Sequence, residues 1–453
     1  MSETKVVLLV HCVDTEGPLH ESFHAKFERL EELFSITGIP CTRQNFIKLK
    51  NGEIALNGLE AEVAKVFSDH LMNYCDTWDK VDEMLGRIMS PDFRNRMPDS
   101  YGGGYVYNWF CLDHVGYEYN PRRRDIGYHN IYDHYVDILD EMPDAKDAIH
   151  WHFHPMSTYR EAHRCATSYF TSDELYQILC RKIIERNWFP AVFRAGFFAE
   201  RPDSNWFLEQ WIPFDITNMA ADNDDALVTI DYKKGRNGDW RLAPSDWSIY
   251  HPSHDNWQLP GNCRRWIGRA LNILNRNASI DQREMDKAFD RAQKEQPTLV
   301  GVCCHDFRDI EIEVEYVRGL IAESRKRYPD VKFRYCEALE AFRAALWPEG
   351  VTGEALELDI VYHPRSADDV PNIEVITRKG KVFGPQPFLA IQASGRRFIH
   401  DNFDFSPSLD RWFYAFHTDT MPIDDVRKIG VAANDKYGNT WIKTLDMRKL
   451  EQH

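Results

Sequence analysis

Short apolar segments alternate with amphipathic helical patterns through most of this 453-residue chain. Four such segments stand at 6–12, 105–112, 191–198 and 298–304. After or between them, apolar residues recur every three or four positions, as in Leu175, Ile178, Leu179 and Ile183; in Val314, Val317 and Ile321; and in Leu339, Phe342 and Leu346. Strands that alternate with helices predict an α/β fold with a parallel sheet, and at this length a closed barrel is favoured.

The pattern changes at residues 347–353, where Pro348, Gly350 and Gly353 predict a linker. Helical periodicity fades beyond it, and short segments typical of strands follow at 358–362, 373–376 and 413–416. The segment 431–441 predicts a hairpin with a Gly-Asn turn.

We therefore expect two domains. The first is a (β/α) barrel over 1–347 with a helical or irregular insertion around 50–104, and the second is a small antiparallel β-sandwich over 355–453.

Charge and hydropathy exclude several classes of partner. The 55 basic and 71 acidic residues leave a net charge of −16, which repels a phosphate backbone and argues against a nucleic-acid partner. No apolar run reaches the roughly 18 residues of a membrane span, and the first apolar segment is too short for a secretory signal. The ten cysteines are scattered without a CxxC pair, so we expect a reduced, cytoplasmic protein.

Two carboxylates follow the first apolar segment. Strand alternation places Asp14 and Glu16 on the same side, and the carboxyl ends of barrel strands form the face where active sites lie. Two adjacent carboxylates repel each other unless a cation lies between them or one keeps a proton. A solvated turn is the alternative interpretation.

Three histidines alternate in an apolar setting at His150, His152 and His154. Such a group is costly to bury unless it binds something, so we expect a metal site there. A set of ordinary core or surface histidines is the alternative. If the strand ends near His150, then His150 and His154 converge on one ion; His150 with His152 is the rival pair.

Two further apolar segments end in chemically active residues. His305 follows the segment 298–304. A neutral imidazole at this position suits general acid–base catalysis, and a hydrogen-bonded core histidine is the alternative.

Arg194 also follows an apolar strand, and a buried arginine needs a carboxylate partner. The Asp14 and Glu16 pair offers one, and an ordinary structural ion pair is the alternative.

The order of these motifs resembles the polysaccharide deacetylase family, which includes chitin deacetylases. The family's His-Thr/Ser-x-x-His motif, often followed by proline, is similar to residues 150–155; its Arg-x-Pro motif is similar to residues 194–196; and its Leu-x-His motif is similar to residues 303–305. The similarity spans about residues 5–345 and does not cover the C-terminal region.

The chain departs from the family pattern at its first motif, Thr-Phe-Asp-Asp-Gly, because Thr15 separates Asp14 from Glu16. Alignment on Gly17-Pro18 makes Glu16 the metal ligand and Asp14 the base, whereas alignment on the strand matches Asp14 alone. Glycine replaces the family's proline at Gly196. The family's Asp-Trp motif has two counterparts, Asp239-Trp240 and Asp246-Trp247, and we favour the second.

The resemblance implies a distorted (β/α) barrel that holds a divalent metal ion, with zinc favoured by a mixed carboxylate and imidazole set. It implies that the ligands come from Asp14 or Glu16 with His150 and His154. It also implies that Asp14 is the base, oriented by Arg194, and that His305 protonates the departing amine. We expect Trp247 and Tyr250 to stack on a sugar ring.

The implied reaction is N-deacetylation of an amino sugar, and a cytoplasmic location favours a precursor of a surface polysaccharide or O-antigen. Three alternatives remain open: hydrolysis of another amide or ureido C–N bond, carbohydrate binding without catalysis, and an interaction role for the β-sandwich as a lid, dimer contact or glycan-binding module. The oligomeric state is left open.

Overall fold

The fold is described from a computed structural model. It describes residues 5–72, 74–114, 120, 123–125, 127, 129–155, 168–169, 172–222, 237–275, 277–366 and 369–450. None of the helices in these ranges is both long enough and apolar enough to cross a membrane.

Seven parallel strands form a closed barrel, as the alternation of apolar and amphipathic segments predicts. They are β1 (Val6–Thr15), β2 (Tyr107–His114), β3 (Ala148–His154), β4 (Val192–Ala195), β5 (Phe214–Asn218), β6 (Trp266–Asn272) and β7 (Thr298–His305). Each strand pairs with the next, and β1 closes the ring by pairing with both β2 and β7. We call the end formed by the carboxyl ends of these strands the barrel mouth.

Strand alternation decides which side chains fill the barrel. Leu8, Val10 and Cys12 of β1 belong to one apolar cluster with Phe110 and Val192 of neighbouring strands. The intervening residues of β1 belong to another cluster, formed with the surrounding helices. The first cluster therefore fills the barrel. Asp14, two residues after Cys12, continues this inward face of β1 to the mouth.

An eighth strand, β8 (Lys332–Tyr335), makes the barrel irregular. The first half of β1 pairs with β8, whereas its second half pairs with β2, from His11 to Thr15. Asn108 lies where the two partners divide, and its side-chain amide donates to the carbonyl oxygens of His11 and Cys336 at 3.3 and 3.1 Å. One buried amide thus satisfies backbone groups on both sides of the division.

Helices surround the barrel and close its other end. They are α1 (Phe23–Phe34), α2 (Arg43–Lys50), α3 (Glu60–Val66), α4 (Trp78–Ile88), α5 (Pro91–Arg94), α6 (Asn130–Asp140), α7 (Asp173–Arg186), α8 (Pro202–Trp211), α9 (Gln282–Gln293), α10 (Ile310–Arg327) and α11 (Ala338–Leu346). Helix α11 buries Phe342 in the cluster that fills the barrel, so it closes the end opposite the mouth.

The region expected to be an insertion consists of two parts. Val63 of α3 belongs to a small separate cluster that also contains Leu30 of α1 and Phe46 of α2, which precede this region. Helix α4 instead buries Val81 and Leu85 in the layer between the barrel and its helices. The 50–104 region is therefore partly a cover of the barrel itself.

Two antiparallel sheets follow the barrel. The strands are β9 (Glu357–His363), β10 (Asn372–Lys379), β11 (Phe388–Ala393), β12 (Phe398–Asp401), β13 (Asp404–Phe405), β14 (Arg411–Ala415), β15 (Val426–Asn434) and β16 (Thr440–Asp446), and a short helix α12 (Met447–Leu450) ends the described chain. They form sheets in the orders β13-β14-β10-β9 and β12-β11-β15-β16. Apolar residues from both sheets share one core, among them Val375 and Trp412 from the first and Ile391 and Val431 from the second.

The C-terminal sheets pack against the side and the closed end of the barrel. Phe388 and Ala432 lie in one apolar cluster with Ile183 of α7. The Asn434 side-chain amide donates to the backbone oxygens of Pro190 and Trp211, at 2.8 and 2.9 Å. The contact is therefore both apolar and hydrogen-bonded, and it lies away from the mouth.

The packing predicts how the chain responds to a cut between the two regions. Residues 348–355 are exposed, so a protease specific for glutamate is expected to cut at Glu349 or Glu354. The two fragments should stay associated because the buried contacts around Asn434 and Phe388 remain. Limited digestion followed by size-exclusion chromatography measures this, and fragments that separate without denaturant would contradict it. A main cut within 290–340 would contradict the predicted domain boundary.

Candidate functional site

Side chains from four strands meet at the barrel mouth. Asp14 ends the inward face of β1, and His152 and His154 belong to the inward face of β3, since Trp151 and Phe153 between them pack toward the helices. Arg194 on β4 and His305 on β7 end the inward faces of those strands in the same way. The structure therefore brings together residues that are separated by almost 300 positions in the sequence.

Asp14 and Arg194 form a buried ion pair, as the sequence predicts. The Arg194 Nε donates to Asp14 Oδ1 at 2.7 Å, and its Nη1 donates to the carbonyl oxygen of Ile216 at 3.1 Å. Burial raises the pKa of the Asp14 carboxyl, but the opposing charge, chiefly that of Arg194, outweighs it and holds that pKa below its ordinary value. Asp14 is therefore an ionised carboxylate fixed in one orientation.

Glu16, His152 and His154 form a buried group that could hold a metal ion. One ligand atom from each lies within 4.8 Å of the others. The Nε2 atoms of His152 and His154 are only 3.1 Å apart. Two imidazole nitrogens and one carboxylate oxygen are a donor set typical of zinc and related divalent ions.

The orientation of His152 suits it to bind through Nε2. Its Nδ1 lies 2.9 Å from the backbone oxygen of Arg194, and because a carbonyl can only accept, Nδ1 carries the proton. Burial lowers the pKa of His152, and it outweighs the charge of Asp14, which raises that pKa, so the ring is neutral. The Nε2 lone pair is then free to face a cation.

The structure does not bring His150 to this group, which corrects the expected pair of His150 and His154. The Nε2 of His150 lies 3.1 Å from Asn108 Oδ1 and 3.1 Å from Glu337 Oε1. Three histidines at alternate positions share one strand face but differ in depth, so only the last two reach the mouth. His150 borders a cleft of about 760 Å³ at the opposite end, which the C-terminal strand β16 also lines.

His305 lies beside the metal-ligating group. Its Nε2 is 3.6 Å from Glu16 Oε1, and its buried Nδ1 has no hydrogen-bond partner among the described residues. Burial and then the charge of Arg308 hold the pKa of His305 well below its ordinary value, although Asp14 opposes them. The imidazole is therefore neutral and placed to exchange a proton with a group in the mouth.

Trp247 and Tyr250 do not face the mouth, contrary to the expectation that they stack on a sugar. Trp247 is fully buried, its ring under the Arg269 guanidinium at 4.3 Å and its Nε1 donating to the Glu284 backbone oxygen at 3.1 Å. The Tyr250 hydroxyl donates to the Trp257 backbone oxygen at 2.8 Å. Both aromatic rings pack inside the protein and are unavailable to a ligand.

The preferred Asp-Trp motif is structural for the same reason. The Asp246 carboxylate forms an ion pair with Arg291 at 2.8 Å on the surface. The motif therefore contributes to packing behind β6 and not to the group at the mouth.

Two residues at the site were not assigned a role from the sequence. The Asp306 carboxylate accepts hydrogen bonds from the backbone amides of Glu16 and Gly17 at 2.8 and 3.0 Å and from the Tyr135 hydroxyl at 2.9 Å. Arg124 forms an ion pair with the Glu16 carboxylate. Asp306 stands next to His305 and Arg124 ends a run of three arginines, and these two sequence signals could have indicated them.

Gly196 is required by the position of His154. A side-chain carbon at residue 196 would lie 2.2 Å from His154 Cδ2 and 2.5 Å from His154 Nε2, which is far inside van der Waals contact. The His154 ring thus occupies the space that a side chain at position 196 would need. This explains why a glycine at this position is compatible with His154 as it is placed here.

Comparison of the chain with protein-family models, with curated proteins and with solved structures gave no match.

The contact between Gly196 and His154 predicts the effect of adding one carbon. Gly196→Ala is expected to displace the His154 ring and to weaken zinc binding by about tenfold or more, the order seen when the groups that support a ligand are changed. Gly319→Ala is the matched control, because Gly319 lies exposed in α10 and nothing lies within 4 Å of an added carbon. The control should keep metal affinity and gain about 0.5–1 kcal/mol in free energy of unfolding. Zinc titration and thermal unfolding of both variants measure these effects, and equal zinc affinities would contradict the assignment.

The different positions of His150 and His152 give a second prediction. His152→Ala is expected to remove bound metal, whereas His150→Ala should retain it, because His150 faces Asn108 and Glu337. Metal content per chain, measured by plasma emission spectroscopy after dialysis against zinc, separates the two. Loss of metal from the His150 variant alone would restore the pair first expected from the sequence.

Proposed function

We propose that the protein is a metal-dependent amide hydrolase that removes the acetyl group from an N-acetylated amino sugar. The proposal rests on one arrangement: the ionised Asp14, held by Arg194, beside the group of Glu16, His152 and His154, with His305 on the same side of the mouth. These are the residue types, in the sequence order, of the polysaccharide deacetylase motifs, with His152 in place of His150.

The residues at the mouth fit a divalent metal ion. The Nε2 atoms of His152 and His154 lie 3.1 Å apart, and one ligand atom from each of Glu16, His152 and His154 lies within 4.8 Å of the others, so the Glu16 carboxylate adds a negative charge close by. We assign Glu16, His152 and His154 as the ligands and favour zinc. A divalent ion held there supplies Lewis-acid activation of water and of a carbonyl group.

Asp14 is assigned as the general base. Its carboxylate is kept ionised by Arg194, and its Oδ1 lies 3.9 Å from the Nδ1 of His152, so it stands next to the ligand group without belonging to it. Arg194 fixes the Oδ1 atom and leaves the other carboxylate oxygen to receive a proton from a water molecule. This geometry supports the alignment in which Glu16 is the ligand and Asp14 the base.

His305 is assigned the proton transfer to the departing amine. It approaches the ligand group from β7, while Asp14 approaches from β1, and the two strands pair with Asp14 directly opposite His305. An amide nitrogen must gain a proton before the C–N bond breaks, and a neutral imidazole that accepts a proton at one step can return it at the next. Asp14 would take the proton from the water and pass it to the neutral His305 imidazole opposite it. His305 would then deliver that proton to the departing nitrogen, so one proton is removed and returned in each hydrolysis.

The substrate class follows from the same resemblance. We propose an N-acetylated amino sugar or glycan precursor, such as one used for a surface polysaccharide or O-antigen. The products are then acetate and a free amino sugar, whereas hydrolysis of a ureido bond would release carbon dioxide and ammonia instead. Acetate detection therefore distinguishes this reaction from that alternative, and tight sugar binding without turnover would indicate a binding protein.

The proposal predicts different failures for the two carboxylates. Asp14→Asn should keep the metal and lose about 10²–10⁴ in turnover, because the base is lost and the ligands are not. Glu16→Gln should lose metal affinity, and excess zinc should restore part of the activity. Glu62→Gln, an exposed position on α3, is the control and should change neither.

Metal content and acetate release are measured side by side on the four proteins, with N-acetylglucosamine and its oligomers as substrates. If the Asp14 variant lacks metal while the Glu16 variant keeps its metal and its activity, the two roles are reversed. If both variants keep their metal and their activity, this site is not the catalytic one.

A further inference from the structure

Arg308 carries a buried positive charge that the proposed reaction does not use. It follows His305 by three residues, and its backbone amide donates to the His305 carbonyl oxygen at 3.2 Å. Only 7 % of the residue is exposed. Its Nε and Nη1 atoms are buried and have no hydrogen-bond partner within the described part of the chain.

The guanidinium borders the barrel mouth. Arg308 lies over the ring of Phe307 at 5.4 Å, and the same ring packs against the His305 imidazole at 4.8 Å. The guanidinium of Arg124, which pairs with Glu16, lies 6.0 Å from that ring as well. The Phe307 ring therefore lies close to the Arg308 guanidinium and also to two residues of the site, His305 and Arg124.

The neighbouring acids already have partners. Glu16 pairs with Arg124, and Asp306 accepts hydrogen bonds from the amides of the loop after β1. Glu21, which approaches Tyr74 near Arg308, lies 3.2 Å from Arg29. Among the residues that the structure describes, Arg308 has no carboxylate within ion-pair distance.

A buried guanidinium without a counter-charge destabilises a protein, so it is retained where a partner of opposite charge arrives from outside. A net charge of −16 repels anions in general, and an anion therefore needs a local cation to reach this surface. We propose that Arg308 binds an anionic group of the substrate, a phosphate or a carboxylate, at the barrel mouth. The inference rests on the proposed function, which it narrows to acetamido sugars that carry a negative charge.

The first test measures anion binding without catalysis. Protein stripped of metal and desalted is heated in inorganic phosphate, in acetate, or in chloride at the same ionic strength. Phosphate or acetate should raise the melting temperature of the unmodified protein, because a ligand that binds only the folded state stabilises it. Arg308→Gln should raise the Kd of that anion by about 10- to 100-fold, the range expected for loss of a hydrogen bond to a charged group.

Two further readouts separate a binding role from a structural one. In chloride, Arg308→Gln should melt at the same temperature as the unmodified protein or higher, since an unpaired buried charge is removed. Arg448→Gln, exposed on α12, is the matched control and should retain the anion effect. Arg308→Lys keeps the charge without the planar fork, and it should show a reduced anion effect; it replaces the glutamine variant if that variant does not fold.

The outcomes are distinct. A response to phosphate alone, or to acetate alone, supports the proposal and identifies the anion. No response to either, or an equal response in the Arg308 variants, overturns it.

With zinc restored, charged substrates such as N-acetylglucosamine 6-phosphate should be hydrolysed with a higher kcat/KM than N-acetylglucosamine, and Arg308→Gln should remove that preference. Anion binding without any acetate release would leave the anion site standing and refute the proposed function alone.

Discussion

The ion pair between Asp14 and Arg194 connects the parts of the barrel mouth. A full positive and a full negative charge are buried together there, and removing one member of such a pair costs about 3–5 kcal/mol because the other is left uncompensated. Arg194 acts through two of its groups: its side chain holds Asp14, and its backbone oxygen accepts a hydrogen bond from His152. A single residue of β4 therefore orients both a carboxylate on β1 and an imidazole on β3. Any displacement of Arg194 would disturb both at once.

The inward face of each strand was predictable from the sequence, because alternation is a property of the strand itself. The apolar segments indicate the barrel. Of the two carboxylates that the sequence offered as partners for Arg194, the structure pairs Asp14 with it. Depth along a strand was not predictable, since it depends on where neighbouring strands begin and end. Strand β8 pairs with the first half of β1, and Glu337, two residues after β8, lies with Asn108 beside His150. No local pattern in residues 332–335 indicates this position.

The aromatic residues show a second limit of sequence reasoning. Trp247 lies near a family-like motif, but its environment is decided by Arg269 and Glu284, which are distant in sequence and approach only in the folded chain. Asp306 gives the opposite case. It is adjacent to His305 in sequence and points to the other side of the strand, where it fixes the loop that carries Glu16. Two adjacent residues, His305 at the end of β7 and Asp306 just after it, thus serve one site from two directions.

The position of the C-terminal sheets has a consequence for biosynthesis. Asn434 and the hairpin tip beside it complete the closed end of the barrel, where a side chain at Gly438 would collide with Leu339 and Phe214. The ribosome makes all seven barrel strands before these residues, so a nascent barrel has the apolar surface around Ile183 and Phe189 uncovered. Such surface favours aggregation while it remains exposed. The last strands therefore cover this apolar surface only after they have been synthesised.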